Sequence, residues 1–187
     1  MKLGRNMNVS YQLFDKNGLP KKFYRENVFG GFLRKIGFIN NTFQIPFIFG
    51  TYGFGMSKSN LITNAGVAAV AGLAGGTGSI SIFDNIGVGK GATSALAANT
   101  VLATEVNQGG TVGTDHLTAT VTRITTDVTN DTLQLVRTFA FTATIAITES
   151  GVFNAESGGT MLARQTFSAI NVVNGDTLQI TWKIDFD

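Results

Sequence analysis

The chain has 187 residues, of which 43% are hydrophobic and 14% charged; its formal net charge is +2, and it contains 23 glycines and no cysteine. The missing cysteine excludes disulfide frameworks, cysteine-based zinc sites and thiol nucleophiles. The apolar fraction and the small net charge argue against disorder throughout, and the glycines lack the three-residue period of collagen. We therefore expect one domain of ordinary size, or one domain with an arm.

Targeting segments are not predicted. The most apolar stretches, residues 45–56 and 65–76, fall short of the ~18 residues that a membrane-spanning helix needs, and no apolar run of signal-peptide length follows the N-terminal basic residues. We expect the protein to be made in the cytoplasm and either to remain there or to be released as part of an assembly.

Charge and aromatic residues are segregated along the chain. Residues 1–58 hold nine basic and two acidic side chains (+7), and residues 59–187 hold five basic and ten acidic ones (−5). Twelve of the 19 aromatic residues also lie in the first 58. Segments of opposite charge attract each other, either within one copy or between copies.

Residues 1–58 are predicted to form a basic, aromatic-rich docking arm. Apart from a turn at residues 15–18, one helical turn at 32–36 and an alternating extended segment at 43–49 that contains Pro46, the arm has no long periodic element. A poorly ordered tail is the alternative, but many exposed aromatics would make such a tail prone to aggregation. The side chains expected to bind a partner are Tyr11, Phe14, Lys21, Lys22, Phe23, Tyr24, Arg25, Phe29 and Phe32.

Residues 59–110 read as a Gly- and Ala-rich transition that folds together with the C-terminal part. Residues 60–71 predict a short helix capped by Thr63 or Asn64 and broken by the glycines from Gly72 onward. Residues 79–83 alternate and predict a strand. Residues 93–105 are compatible with a helix, and residues 107–113 predict a loop.

Residues 111–187 predict an antiparallel β domain. Apolar residues alternate with threonine and other polar residues over 132–148 and 177–186, which is the period of strands with one buried face. Arg137 interrupts the apolar face, so a bulge or a rim position is expected there. Strands are also predicted at 118–126 and 161–167, with turns at 156–159 and 174–176. The predicted fold is mainly β, an antiparallel sandwich or barrel with an extended N-terminal arm and at most short helices.

The residues carry little candidate chemistry. The segment from Gly87 to Thr93 resembles a phosphate-binding loop, but Asp84 and Gly91 stand where that motif needs a glycine and a hydroxyl residue. The single histidine, His116, is interpreted as a surface-loop residue rather than a catalytic base. Asp127 and Asp131 suit a hairpin turn and lack calcium-loop spacing. We expect no enzymatic activity, catalytic residue, cofactor or metal, and we expect protein rather than nucleic-acid partners for the basic arm.

Three segments carry a resemblance to a known group. They are Ile86–Thr93 with Thr104–Val106, then Ala146–Ala155 with Gly158–Arg164, and then Phe167–Ile184. Together, over about residues 80–187, they resemble virion structural proteins of tailed bacteriophages. Residues 1–58 are only loosely similar to N-terminal arms of that group, whose members are associated with capsids, collars or tail fibres. The resemblance implies a structural role in the virion and no catalytic residues.

These observations lead to one preferred function and two alternatives. The preferred expectation is an oligomeric capsid decoration or cement protein, located in the virion, that contacts other virion proteins and copies of itself and is anchored by residues 1–58. The first alternative is a tail, collar or fibre-adaptor protein. The second, from another class, is a host-carbohydrate-binding β domain, which would need aromatic side chains exposed on the β domain.

Overall fold

A computed structural model describes residues 7–26, 28–35, 50–113 and 115–186. The extended segment predicted at 43–49 lies outside these residues. In chain order the elements are β1 (Asn8–Phe14), β2 (Pro20–Lys21), β3 (Phe23–Glu26), α1 (Val28–Lys35), β4 (Gly50–Gly53), β5 (Gly55–Ser59), β6 (Leu61–Ile62), α2 (Asn64–Gly75), β7 (Asn85–Gly89), β8 (Leu117–Thr118), β9 (Thr120–Ile124), β10 (Thr132–Ala140), β11 (Ile145–Phe153), β12 (Met161–Val172) and β13 (Thr177–Asp185).

Two antiparallel sheets form the body of the protein, which confirms the predicted mainly-β fold. The first sheet has the order β2-β1-β13-β10-β9, with β5 also paired to β1. The second has the order β6-β12-β11-β7-β8. A separate ribbon, β3-β4, packs against β12. Apolar side chains from both sheets meet in one core between them.

The chain passes directly from one sheet to the other at both edges of the sandwich. At one edge β5 pairs in the first sheet and β6 in the second, with only Asn60 between them. At the other edge β8 pairs in the second sheet and β9 in the first, with only Ala119 between them. The corners are fixed by hydrogen bonds: the Asn60 side chain donates to the Lys183 carbonyl oxygen at 3.1 Å, and the Ala119 amide donates to the Asp84 carbonyl oxygen at 2.7 Å. Such sheet-switching corners close a sandwich toward a barrel.

Residues 8–14 belong to the sandwich, so the prediction that residues 1–58 form an arm outside the β domain is wrong for this part of the chain. β1 pairs with β13 along its whole length, from Asn8 opposite Lys183 to Phe14 opposite Thr177. Val9, Tyr11 and Leu13 alternate into the core. Removing residues 1–58 would therefore expose one edge of β13 and part of the core.

The strand β13 is the centre of the first sheet, and its alternation was predicted correctly. Leu178, Ile180, Trp182 and Ile184 are all fully buried. The indole Nε1 of Trp182 donates to Ser150 Oγ in the other sheet at 3.2 Å, which satisfies the one polar atom of this side chain. Trp182 therefore joins the two layers by packing and by a hydrogen bond.

The long alternating run at 132–148 is divided between the two sheets rather than forming one strand. β10 ends at Ala140 in the first sheet, and β11 begins at Ile145 in the second. The alternation persists because both strands face the same core. The register of β10 with β13 continues without a break through Arg137, and β9 pairing stops one residue earlier, at Val136. The bulge expected at Arg137 is therefore not seen between β10 and β13, and the Arg137 Nη1 donates to the Thr118 carbonyl oxygen at 3.1 Å.

The transition segment contains the predicted helix and the predicted loop at 107–113, but not the predicted strand or the second helix. The side chain of Thr63 caps α2 by accepting from the Gly66 amide at 2.9 Å, and the helix continues through Gly72 to end at Gly76, which has a left-handed φ of 62°. Residues 79–83 are not a strand, because the strand begins at Asn85. Residues 93–105 are irregular rather than helical, because their amides and carbonyls bond to side chains of β11 and β12.

The turn between β9 and β10 is organised by one carboxylate. Asp131 accepts hydrogen bonds from the amides of Val128, Thr126 and Asp127 at 2.6–2.9 Å. These bonds, that from Val128 above all, favour the charged form and lower the pKa of Asp131 from 3.8 to about 2. The hairpin predicted from Asp127 and Asp131 is confirmed.

Replacing Trp182 by alanine should lower the thermal stability of the full chain strongly. The loss combines the lost burial of the ring and the cavity left behind, about 3–5 kcal/mol, which corresponds to roughly 10 °C for a chain of this size. Phe54→Ala, which removes a half-exposed ring, is the control in the same calorimetric measurement. Equal melting temperatures for wild type and Trp182→Ala would contradict the core position of Trp182.

Asp131→Asn should destabilise the protein at neutral pH, and the effect should shrink as the pH falls toward 2. Because the folded pKa is depressed, the stabilising effect of the carboxylate is present above its unfolded value and is lost as the pH falls through about 2. Thermal unfolding of wild type and Asp131→Asn at several pH values between 7 and 2 measures the difference. A gap that stays constant over this range would show that the charge of Asp131 does not hold the turn.

Candidate interaction surface

One face of the second sheet carries a layer of buried polar side chains. Along β7, Ile86 and Val88 point into the core, whereas the glycines between and after them face the other side. Residues 90–105, which we call the strap, run across that outer face. On a regular strand, residues five apart lie on opposite faces, yet Ile147 and Val152 both belong to the core. The register irregularity between Ile147 and Glu149 shifts the alternation, so that Glu149 points outward under the strap.

Glu149 is a fully buried carboxylate that binds the strap through its backbone. Its Oε1 accepts from the amides of Gly91 at 2.9 Å and Thr104 at 2.8 Å, and its Oε2 accepts from the amide of Ala103 at 3.0 Å. The neighbouring Thr148 hydroxyl donates to the Gly91 carbonyl oxygen at 2.7 Å. Both ends of the strap are therefore tied to adjacent residues of β11.

Arg164 on β12 is the counter-ion of Glu149 and is also fully buried. Its Nε and Nη2 donate to Glu149 Oε2 at 3.0 and 2.7 Å. Its remaining N–H groups donate to the carbonyl oxygens of Thr93 and Ser94 at 3.0 and 3.2 Å, and to Asn99 Oδ1 at 2.8 Å. The pair thus satisfies its own charge and the polar groups in the middle of the strap.

The glycines of the segment that resembles a phosphate-binding loop are explained by this pair. A Cβ built on Gly89 would lie 2.5 Å from Glu149 Oε1, and one on Gly91 would overlap the same carboxylate. One on Gly87 would lie 2.8 Å from the His116 ring. The glycines make room for buried polar side chains of the same chain, and Lys90 between them is exposed.

His116 is buried, and its interpretation as a surface-loop residue is wrong. Its ring stacks on Phe153 with centroids 3.6 Å apart. Nδ1 lies 2.7 Å from the Ala155 carbonyl oxygen, which can only accept, so Nδ1 carries a proton. Nε2 lies 2.9 Å from Glu105 Oε1 without hydrogen-bond alignment.

Both polar pairs are enclosed, which makes them structural in character. The side chains of Glu149, Arg164 and His116 are at most 1% exposed, so no substrate reaches them in this conformation. Among the described residues, no group of three or more His, Asp or Glu side chains could hold a metal ion.

A second group of residues is exposed and lies on the β3-β4 ribbon and its surroundings. We call it the aromatic–basic surface; its side chains are those of Lys22, Arg25, Phe29, Phe32, Tyr52 and Phe54. The four aromatic rings are 52–55% exposed, and both basic side chains are exposed. The ammonium group of Lys22 lies 5.1 Å from the centroid of the Phe54 ring.

The ribbon fixes the geometry of this surface. Tyr24 and Tyr52 are opposite each other in the β3-β4 ladder, with ring centroids 5.9 Å apart in an edge-to-face arrangement. The Arg25 guanidinium lies across Gly53, where a Cβ would overlap it, and donates to the Gly55 carbonyl oxygen at 3.3 Å. Beside the ribbon, an apolar groove of about 570 Å³ is lined by Gln12, Leu13, Phe14, Pro20 and Phe54.

The structure divides the residues predicted to bind a partner into two sets. Lys22, Arg25, Phe29 and Phe32 are exposed, and Phe14 lines the groove. Four others are engaged within the chain, so their prediction as contact residues is corrected: Tyr11, Phe23 and Tyr24 are buried, and Lys21 forms a 2.6 Å ion pair with the buried Asp176. Burial raises the pKa of Tyr11 well above its usual value, and its ring contacts Phe167 at 4.1 Å between centroids.

The sequence interpretation missed two members of this surface, Tyr52 and Phe54. Phe54 lies between Gly53 and Gly55, and Tyr52 precedes Gly53; an aromatic ring next to glycine has few neighbours along the strand to cover it. That local pattern is the signal that could have identified them.

Comparison of the chain with protein-family models, with curated proteins and with solved structures finds no match. Within the described parts of the chain, neither helix has the length and apolar character needed to cross a membrane.

Breaking the buried ion pair should loosen the strap. Glu149→Gln leaves the Arg164 charge buried without a counter-ion, at a cost of about 3–5 kcal/mol. Arg164→Met should have a comparable cost, and the double variant should lose less than the sum of the two because neither charge is then stranded. Denaturant unfolding measures this cycle.

Hydrogen exchange gives the local readout for the same variants. In Glu149→Gln the amides of Gly91, Ala103 and Thr104 should exchange faster than in wild type, whereas Glu156→Gln, at a partly exposed carboxylate, should leave them protected. Unchanged protection of these three amides in a folded Glu149→Gln protein would contradict the role of Glu149 in holding the strap.

Proposed function

We propose that the protein is a non-enzymatic virion structural component, an oligomeric capsid decoration protein that attaches to its particle through the aromatic–basic surface. The observation that carries the proposal is the presence of four half-exposed aromatic rings beside two exposed cations on one ribbon and helix. The resemblance of residues 80–187 to virion proteins of tailed bacteriophages supports the proposed location in a virion.

The aromatic–basic surface has the composition of a protein-docking site. Aromatic and arginine side chains dominate the binding energy of protein interfaces, because each ring buries a large area when it enters a pocket. Lys22 and Arg25 add an attraction toward an acidic partner, which steers the approach and is screened by salt. An acidic shell surface with apolar pockets is the matching partner.

The carbohydrate-binding alternative finds no support on the β sandwich itself, because Trp182 is fully buried in the core. A tail, collar or fibre-adaptor role would use the same docking surface. Electron cryo-microscopy of the intact particle decides between the two locations: density on the shell supports decoration, and density confined to the tail contradicts it.

Loss of the exposed rings should prevent attachment without unfolding the protein. The double variant Phe32→Ala/Phe54→Ala removes two rings that are 55% and 53% exposed. Ile82→Ala/Val128→Ala, which removes two side chains that are each 66% exposed, is the matched control. Binding is measured by co-sedimentation with particles that lack the protein, and we expect at least a tenfold loss for the first variant and none for the control.

Equal occupancy for the two double variants, with both proteins folded, would refute attachment through the aromatic–basic surface. A second double variant, Lys22→Gln/Arg25→Gln, tests the contribution of charge separately from that of ring burial. It should attach more slowly at low salt and show a weaker salt dependence, while the rate at which bound protein dissociates changes less.

A further inference from the structure

The outward face of α2 is apolar where a surface helix is normally polar. Gly66 and Ala69 lie against the sheet and are buried, and Gly66 is close enough to the Leu162 backbone that a Cβ could not be added. The opposite side, at helical spacing, is exposed and carries only one polar side chain; its members are Asn64, Val67, Ala68, Ala71, Ala74 and Gly75. A helix that is apolar all round is usually covered on all sides.

The strap continues this apolar face. It lies next to α2, because the Asn64 amide donates to the Ala97 carbonyl oxygen at 2.8 Å. Its Leu96 and Val101 side chains are each 60% exposed, and Val67 on α2 is 47% exposed. Glu149 and Arg164 bind the inner side of the strap, so Leu96 and Val101 project from a segment that is held against the sheet.

The stretches that supply this face contain no charged residue, and the exposed Lys90 at the start of the strap lies just outside them. Residues 59–83 and 91–104 hold no Asp, Glu, Lys, Arg or His. The exposed apolar side chains of α2 and the strap all fall in these two stretches. We call this surface the neutral face; its central side chains are Val67, Ala68, Ala71, Leu96 and Val101.

We propose that the neutral face binds the neutral face of a second copy of the chain. A two-fold contact brings identical patches together, so a patch with net charge repels itself. The aromatic–basic surface, with Lys22 and Arg25, has that defect. The neutral face does not, and it offers no charge by which a different, charged partner could be selected.

The size of the face predicts a weak association. A twelve-residue helix is about 18 Å long, and with a strap of similar width beside it each copy offers on the order of 400 Å². Stable dimers bury about 800 Å² per partner. Association is therefore expected only at high concentration or where copies are held side by side, and it supplies the contact between copies that the proposed function assumes.

Charge reversal at the centre of the face tests the contact. Ala71→Glu and Ala71→Lys place like charges across the two-fold, and both residues retain good helix propensity. In analytical ultracentrifugation between about 5 and 500 µM, wild type should show a rising average mass, while each variant stays monomeric with an unchanged melting temperature. An equimolar mixture of the two variants should associate again, because the charges then attract.

The matched control places the same charge on a different exposed surface. Thr122→Glu, on the exposed strand β9, should associate like wild type. A wild type that is monomeric throughout, variants that associate like wild type, or a mixture that stays monomeric would each overturn the proposal. Added NaCl from about 0.05 to 0.5 M should leave the association unweakened, because no charge pair forms it.

The self-association test and the particle-binding test of the proposed function can fail independently. Self-association without particle binding would refute only attachment through the aromatic–basic surface. Particle binding by a protein that never self-associates would refute only the contact between neutral faces.

Discussion

The buried pair of Glu149 and Arg164 is the interaction on which the outer half of the structure depends. Two charges removed from water cost several kcal/mol each, and they are tolerated only where every polar atom is satisfied. Here the partners are supplied by the strap: three amides bind Glu149, and two carbonyl oxygens with one side-chain oxygen bind Arg164. The strap needs the pair to satisfy its irregular backbone, and the pair needs the strap to exclude water. Each depends on the other, so the strap side of the neutral face, with Leu96 and Val101, depends on the pair.

The buried side chains also explain why Gly87, Gly89 and Gly91 resemble part of a phosphate-binding loop although the space beside them is filled by the chain itself. Alternate glycines on β7 and just after it leave space on one side of the strand while Ile86 and Val88 fill the core on the other. In a phosphate loop the space would receive an anion from solution. Here it receives the chain's own carboxylate at Gly89 and Gly91, and the His116 ring at Gly87.

The sequence allowed the second half of the fold to be predicted because each long strand keeps a two-residue period against one core, as β13 does from Leu178 to Ile184. It did not reveal β1, although Val9, Tyr11 and Leu13 alternate, because a seven-residue strand among basic and aromatic residues was interpreted as part of the arm. The irregular strap was mistaken for a helix since alanine and leucine favour one, whereas tertiary bonds to β11 and β12 decide its conformation. The partners of Glu149 lie 15 to 58 residues away in the chain, and no local spacing indicates such pairings. Of the site, Lys22, Arg25, Phe29 and Phe32 and the groove residue Phe14 could be identified from composition.

The net charges of the two halves of the chain overstate how strongly those halves attract each other in the folded protein. Of the nine acidic side chains after residue 58 that the structure describes, four are buried, at Glu105, Glu149, Asp176 and Asp185. Two of these face Arg164 and His116, and Asp176 is held by Lys21. Folding therefore consumes acidic charge in the interior and leaves Lys22 and Arg25 on the outside, beside aromatic rings. Opposite charge on a partner would favour docking at the aromatic–basic surface, whereas the neutral face can meet a second copy without charge repulsion. The distribution of charge over the folded surface thus separates the two proposed contacts: an acidic partner for the ribbon and a second copy for the helix and strap.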